Sequence, residues 1–358
     1  MINIAKPQMG KEEKEAVLEV LDSGIIAQGP RVKAFEEVFA EMCGTKFAIA
    51  TSSGTTALHT ALLAHGIGEG DEVITSPFTF IASANSILYT GARPVFVDID
   101  PVTFNIAPEM IEAAITDKTK AIMPVHLFGL MCDMDAIVAI AEKHELIILE
   151  DAAQSHAATY KGRAAGSLGT GAFSLYPTKN MTSAEGGMIT TNDEDYDGEC
   201  RIIRQHGMRR RYYHDDLGFN FRMTDIHAAI GLEQLKKLPA FNETRQRNAQ
   251  FMSEHLQGVV APTEPEGYGH VYHQFTVRVP DGKRDALIEH LQAKKVGVGV
   301  YYPVPIHQQS YYVNELGYNV RLPEAERAAA EVLSLPVHPA LSMADLETIV
   351  STVNEFFE

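Results

Sequence analysis

The sequence predicts an α/β fold: a large domain on a mostly parallel sheet, then a smaller α+β C-terminal domain. Three observations carry this. Short apolar stretches alternate with helical ones between Phe47 and Thr191, the rhythm of a sheet covered on both faces. Small and polar residues with chemical potential fall just past the carboxyl ends of those stretches, where such sheets bind ligands. Beyond Gly258 the rhythm changes, so residues 1–241 are read as the large domain and 242–358 as the small one. The N-terminal helix is free to join the second.

Taken in order, Lys11 to Leu21 has apolar residues at Ala16, Val17, Val20 and Leu21, a helical spacing that ends at Ser23-Gly24. Pro30 opens a second helix with Val32, Phe35, Val38, Phe39 and Met42 on one face. Phe47 to Ala50 is a strand that runs through Thr51-Ser52-Ser53-Gly54-Thr55-Thr56 into a helix. Glu72 to Thr75, Pro94 to Asp98, Ala121 to Val125, Leu146 to Leu149, Ala172 to Leu175 and Met188 to Thr191 read as further strands. Helices are expected at Phe80 to Tyr89, Asp133 to His144 and Ala228 to Phe251. In the small domain, His273 to Val279 and Val296 to Tyr302 read as strands. Lys283 to Lys294, Pro323 to Ser334 and Met343 to Phe357 read as helices.

Composition narrows the function. At 358 residues, 45% hydrophobic and 22% charged, the chain is an ordinary globular protein. A formal net charge of −17 argues against general binding of nucleic acid or an anionic membrane. The start, MINIAKPQMGKEEKE, lacks the apolar core of a signal peptide, and no apolar run is long enough to span a bilayer. Cys43, Cys132 and Cys200 are scattered, with no zinc or iron–sulfur ligand set, which fits a reduced, cytoplasmic protein.

The candidate chemistry lies in four places. The Ser53-Gly54-Thr55 turn joins a strand to a helix N-terminus, where free N–H groups and the helix dipole suit an anion; Thr55 and Thr56 would otherwise simply cap the helix. Asp151 follows an apolar strand, either as a helix cap or as a carboxylate that keeps a ring nitrogen protonated. Lys179 sits in a polar turn of GAFSLYPTKNMTSAEGG; taken alone it is a surface lysine. The basic island of Arg201, Arg204, Arg209, Arg210 and Arg211 is either a salt-bridged face or a site for an anionic group such as a diphosphate. The glycines at 66, 68 and 70 follow a helix and precede a strand, the wrong order for a dinucleotide loop.

Four segments occur in register: SSGTTALHTALLAHGIGEGDEVITSPFTF, LEDAAQSHAA, FSLYPTKN followed by EGG, and GFNFRMTDIHAAIG. Together the set resembles the DegT-like sugar aminotransferases, fold-type I enzymes that use pyridoxal phosphate. The likeness spans nearly the whole chain, to the YYPVPIH segment at His307. It implies that Lys179 bonds covalently to the cofactor, that Asp151 pairs with its ring nitrogen and that Gln154 lies near its ring hydroxyl. It implies further that Phe80 stacks on the ring and that Gly54, Thr55 and Ser174 hold the phosphate. Asn220 would reach the phosphate from a neighbouring subunit, so a homodimer with shared active sites is implied as well. Where many members have a histidine before the lysine motif, this chain has Tyr176 and Pro177.

The expected reaction moves an amino group from an amino acid, glutamate by resemblance, to the keto group of a nucleotide-linked sugar. A non-nucleotide keto-sugar or keto-cyclitol is the alternative acceptor. A regulatory protein that binds pyridoxal phosphate without turnover is the alternative from another class. The acceptor pocket is expected near Tyr176, Arg209, Arg210, Arg211, Tyr301, Tyr302 and His307. Such enzymes serve polysaccharide or antibiotic biosynthesis.

Overall fold

The structure is a computed structural model that describes residues 1–358. Helix α1 (Lys11–Ser23) and helix α2 (Pro30–Cys43) precede strand β1 (Phe47–Thr51), helix α3 (Gly54–Ala64) and strand β2 (Glu72–Thr75). Helix α4 (Ala82–Tyr89), β3 (Arg93–Phe96), β4 (Thr119–Met123), α5 (Met134–His144) and β5 (Ile147–Asp151) follow. Short ribbons β6 (Thr159–Tyr160) and β7 (Arg163–Ala164) lead into β8 (Thr170–Ser174) and β9 (Gly187–Thr191). The central sheet runs β1-β9-β8-β5-β4-β2-β3, parallel except that β9 is antiparallel to both its neighbours.

Alternate residues of these strands feed cores on opposite faces, as a period of two requires. Ala48, Ala50, Ile74, Ile122, Phe173 and Met188 join the core under α2 and α5. Ile49, Val73, Ala121, Met123, Leu149, Ala172 and Ile189 join the one under α3. Pairing of β5 with β8 sets Asp151 opposite Ala172, which brings the end of β5 beside Ser174.

Helix α6 (Glu194–Arg204) is an element the apolar spacing did not suggest; its start is capped by Asp193, which accepts from the Tyr196 N–H. Buried Arg204 and part-buried Arg201 of α6 both bond Glu36 of α2, at 2.6 Å and 2.7 Å, so this half of the basic island is a structural ion-pair network. A hairpin of β10 (Met208–Arg210) and β11 (Tyr213–His214) then leads to α7 (Asp225–His255). The expected boundary at 241/242 falls inside α7: Ala228 and Leu238 lie in a large-domain core, Ala249 and Met252 in the C-terminal one. Helix α1 packs along the first half of α7, with Glu13 paired to Lys237.

Past β12 (Tyr268–Gly269), strand β13 (Phe275–Arg278) and α8 (Arg284–Ala293) match expectation closely. Val296 to Tyr302 does not form the expected strand; it makes only single bridges, Val296 to Ile2 and Gly299 to Ser334. Gly297 and Gly299 lie against Ile2 O and the Tyr301 ring, so the segment is shaped by close approach rather than a ladder. After α9 (Ser310–Asn314), helix α10 (Pro323–Glu331) stops three residues early. Val332–Leu335 leaves it as β14, paired with β13, because all four of its residues are buried, Leu333 and Leu335 in the small core. Helix α11 (Met343–Phe357) closes the chain. No helix is long and apolar enough to cross a membrane.

Candidate active site

A cavity of about 500 Å³ opens at the carboxyl ends of β1, β5 and β8. Gly54, Thr55, Phe80, Asp151, Gln154, Ser174, Tyr176, Lys179 and Tyr301 all line it. Residues from five separate stretches of sequence are therefore brought together.

Asp151 is 3% exposed at the end of β5. Its backbone is pinned on both sides: its N–H donates to Pro124 O at 2.9 Å and its carbonyl accepts from the His126 N–H at 3.0 Å. No helix follows it, so it is not a cap. Its Oδ2 accepts from Ser83 Oγ at 2.6 Å and its Oδ1 from the Ala153 N–H at 3.2 Å. Burial pushes its pKa up, against Ser83, Ala153 and the nearby Lys179 charge. Below it, His126 Nε2 and Glu150 Oε2 meet at 2.9 Å, and Glu150 also accepts the Gly166 and Leu168 N–H groups. The end of β5 is thus rigid.

Lys179 follows β8 in a turn closed by its own N–H to Tyr176 O at 2.9 Å. Its ammonium has no carboxylate close enough for an ion pair; Asp151 acts on it only through space. Burial therefore dominates and lowers its pKa from 10.5 to about 8.

The third group is the start of α3. Ser53 caps it, accepting from the Thr56 N–H at 3.1 Å, while Thr56 Oγ1 accepts from the Ser53 N–H at 2.9 Å. That reciprocal box satisfies Thr56 and leaves the N–H groups of Gly54 and Thr55 free at the positive end of the helix. Ser174 lies against this turn: a Cβ on Gly54 would sit 2.6 Å from Ser174 Cβ. Only glycine lets the helix start reach the serine.

Gln154 is held at both ends of its amide: Oε1 accepts from the Phe128 N–H at 2.8 Å and Nε2 donates to Tyr302 Oη at 3.2 Å. Phe80 is 55% exposed at the mouth, its ring centroid 6.1 Å from that of Tyr302. Tyr302, expected near the acceptor, lines the cavity too, and Ser83, Thr79 and His273 line it beyond the residues expected. Thr79 and Ser83 carried a signal, hydroxyls four apart at a helix start, and their oxygens meet at 3.0 Å. For Tyr302 it is the bond to Gln154, rather than its place in the pocket, that carried no signal.

Other expected residues lie outside the cavity of this chain. His307 is buried, with Nε2 3.3 Å from Glu326 Oε1 and its ring against Phe96, so it is a packing residue here rather than a pocket wall. Arg209 is paired with Glu199 and Asp216. Arg210 lies 3.6 Å over the Tyr213 ring and Arg211 5.0 Å over that of Tyr212, all on the exposed hairpin. Asn220 is exposed on the segment after the hairpin, where its Oδ1 accepts from Arg222 Nε at 3.1 Å.

The cavity offers a free helix start for a phosphate, a buried carboxylate without a cationic partner, and an amine with a lowered pKa. These are the three groups pyridoxal phosphate asks of a protein, and the residues fit it. When bound, it serves as an electron sink for charge developing on a substrate carbon.

Fold and site together define an aminotransferase of fold type I that depends on pyridoxal phosphate. More narrowly, the model of the DegT/DnrJ/EryC1/StrS aminotransferase family matches residues 7–354, and the chain belongs to that family. Among its relatives, a Geobacillus stearothermophilus protein named pleiotropic regulatory protein is 46% identical, over 98% of this chain and 95% of its own length. The GDP-perosamine synthase of Caulobacter vibrioides is 42% identical, over 99% and 98%. Among solved structures, S. venezuelae DesV, determined with a reaction intermediate, matches at a TM-score of 0.94 and 38% identity, over 97% of this chain and 94% of DesV. The sugar aminotransferase Spr1654 of Streptococcus pneumoniae, solved in its pyridoxal-phosphate form, matches at a TM-score of 0.93 and 29% identity, over 99% of each chain. The chain is a sugar aminotransferase.

Proposed function

We propose that the amino acceptor is a keto group on a nucleotide-linked sugar and that the donor is glutamate. The observation that carries the chemistry is Lys179, a part-buried amine without an ion-pair partner, sharing one cavity with buried Asp151 and the start of α3. In this reading Lys179 Nζ is the covalent anchor in the resting protein and the base that moves a proton from the donor's α-carbon. Asp151 holds the ring-nitrogen proton, with Ser83 holding Asp151. Gly54, Thr55 and Ser174 bind the phosphate, Phe80 covers the ring face and Gln154 fixes its edge. Each contact comes from a different segment, so the reacting groups are oriented before substrate arrives.

The nucleotide reading is supported by the name of the GDP-perosamine synthase above, and by the hairpin. Arg210 and Arg211 are exposed guanidiniums lying over tyrosine rings, a surface suited to a diphosphate. Neither they nor Asn220 reach the cavity of their own chain, which supports a homodimer whose sites are completed across the interface. Tyr176 and Tyr301 then bound the sugar. The name of the Geobacillus relative keeps a regulatory role open as a second reading, in which cofactor is bound but not turned over.

The test is a panel of keto-sugar nucleotides and the corresponding free keto-sugars, each supplied with glutamate, with 2-oxoglutarate release followed. Turnover on nucleotide sugars, abolished in Lys179→Ala, is the expected result. Turnover confined to free sugars would refute the acceptor, and cofactor binding without any amino transfer would favour the regulatory reading.

A further inference from the structure

The turn that carries Lys179 is anchored from behind by one side chain of α7, and we infer that Asn242 is a positioning residue for Lys179. Asn242 is buried, at 7% exposure. Its Oδ1 accepts from Asn180 Nδ2 at 2.8 Å, and Asn180 is the residue directly after the lysine. Its Nδ2 donates to the carbonyl of His156 at 3.0 Å, two residues past Gln154. Asn180 Nδ2 donates a second bond to the carbonyl of Val271 at 2.8 Å, two residues before the cavity residue His273. One amide on α7 therefore ties the lysine turn to the glutamine loop and, through Asn180, to the segment carrying His273.

The loop is closed at its base, where Leu175 O accepts from the Ser183 N–H at 3.0 Å and from Thr182 Oγ1 at 2.8 Å, but the residues next to Lys179 have few bonds of their own. Tyr176 and Thr178 are exposed, and Lys179 itself contributes one backbone bond, to Tyr176 O. Its ammonium has no ion-pair partner to steady it, so the position of Nζ follows the position of its own Cα. The anchor on the neighbouring Cα is Asn180, and Asn180 is held only through its Nδ2, since its Oδ1 finds no partner. A lysine that must bond one atom and later move a proton at another tolerates little displacement of that base.

Asn242 could instead serve only to satisfy buried polar groups. Asn248, six residues further along α7, does that: it is 6% exposed and donates to the carbonyls of Val337 and His338 at 3.2 Å and 3.3 Å. The same residue type, equally buried on the same helix but away from the lysine turn, is an internal control.

The inference rests on the proposed anchoring role of Lys179. The experiment compares Asn242→Ala with Asn248→Ala in the cofactor-loaded protein by thermal midpoint, by kcat against donor KM, and by the pH midpoint of the cofactor's absorbance band. Both variants are expected to lose similar stability. Only Asn242→Ala is expected to lose kcat by about 10- to 100-fold, the loss a displaced reacting group brings. Its KM should stay within about threefold of wild type, and its absorbance midpoint should move by about half a pH unit or more. Asn180→Ala cuts the same bond from the other end; it should repeat the result and replaces Asn242→Ala if that variant does not fold. An unchanged kcat and absorbance midpoint, or equal changes in Asn248→Ala, would overturn the inference. Failure of the wild-type protein to take up cofactor on Lys179 would defeat the underlying proposal instead, so the two failures are distinct.

Discussion

Lys179 gives the most quantitative prediction. In the cofactor-free protein, burial lowers its pKa from 10.5 to about 8, with the Asp151 charge opposing the shift. At about pH 7.5, a quarter of the molecules carry the neutral amine, against roughly one in a thousand for an unshifted lysine. Only the neutral amine attacks an aldehyde, so capture of pyridoxal phosphate should be about 200-fold faster than for a solvated lysine. The assay is stopped-flow growth of the absorbance band over a range of pH. The rate should rise tenfold per unit at low pH and level off with a midpoint near 8. Asp151→Asn removes the one charge that raises the lysine pKa, so its midpoint should fall below that of wild type. A rate still climbing tenfold per unit at pH 10, or a midpoint raised by Asp151→Asn, would refute the reasoning.

Other perturbations follow from the same geometry. The folded state binds the Lys179 proton less tightly than the unfolded state, so stability of the cofactor-free protein should rise as pH rises from about 8 to 10.5. Unfolding free energies from urea titrations at a series of pH values should change differently with pH in wild type and Lys179→Met only in that window. Gly54→Ala puts a Cβ 2.6 Å from Ser174 Cβ and should weaken cofactor affinity by about 10- to 100-fold, read by equilibrium dialysis, with the far-UV spectrum unchanged. Ser83→Ala removes a donor that favours the Asp151 carboxylate, so any acid limb of the kcat profile set by Asp151 should move up in pH. Glu36→Ala strands buried Arg204 and should cost about 3–5 kcal/mol in chemical unfolding.

What the sequence made legible follows its local signals. Asp151 stood out as an acid just past an apolar run, and the Ser53-Gly54-Thr55 turn because a strand end and a helix start are readable within ten residues of one another. Lys179 needed company: alone it reads as surface, and its depressed pKa depends on burial that no local pattern reports. Ser83 and Tyr302 act on Asp151 and Gln154 across 68 and 148 residues, so their roles exist only in the folded chain. Asn242 lies in what reads as a plain helix, and its bonds to the lysine turn and to His156 span 62 and 86 residues. The Val296 to Tyr302 segment misled because valines alternating with glycines mimic a strand, while the glycines serve close backbone approach. His307 stood in a conspicuous motif, yet its ring is spent on Glu326 and Phe96.

The central claim is that Lys179 is the covalent anchor and that the amino donor releases it. Borohydride reduction of the loaded protein, before and after incubation with glutamate, followed by peptide mapping, tests this most directly. The expected result is cofactor fixed on the peptide containing Lys179 in the resting protein and largely absent from it after glutamate. Cofactor fixed on another lysine, or on none, would contradict the account.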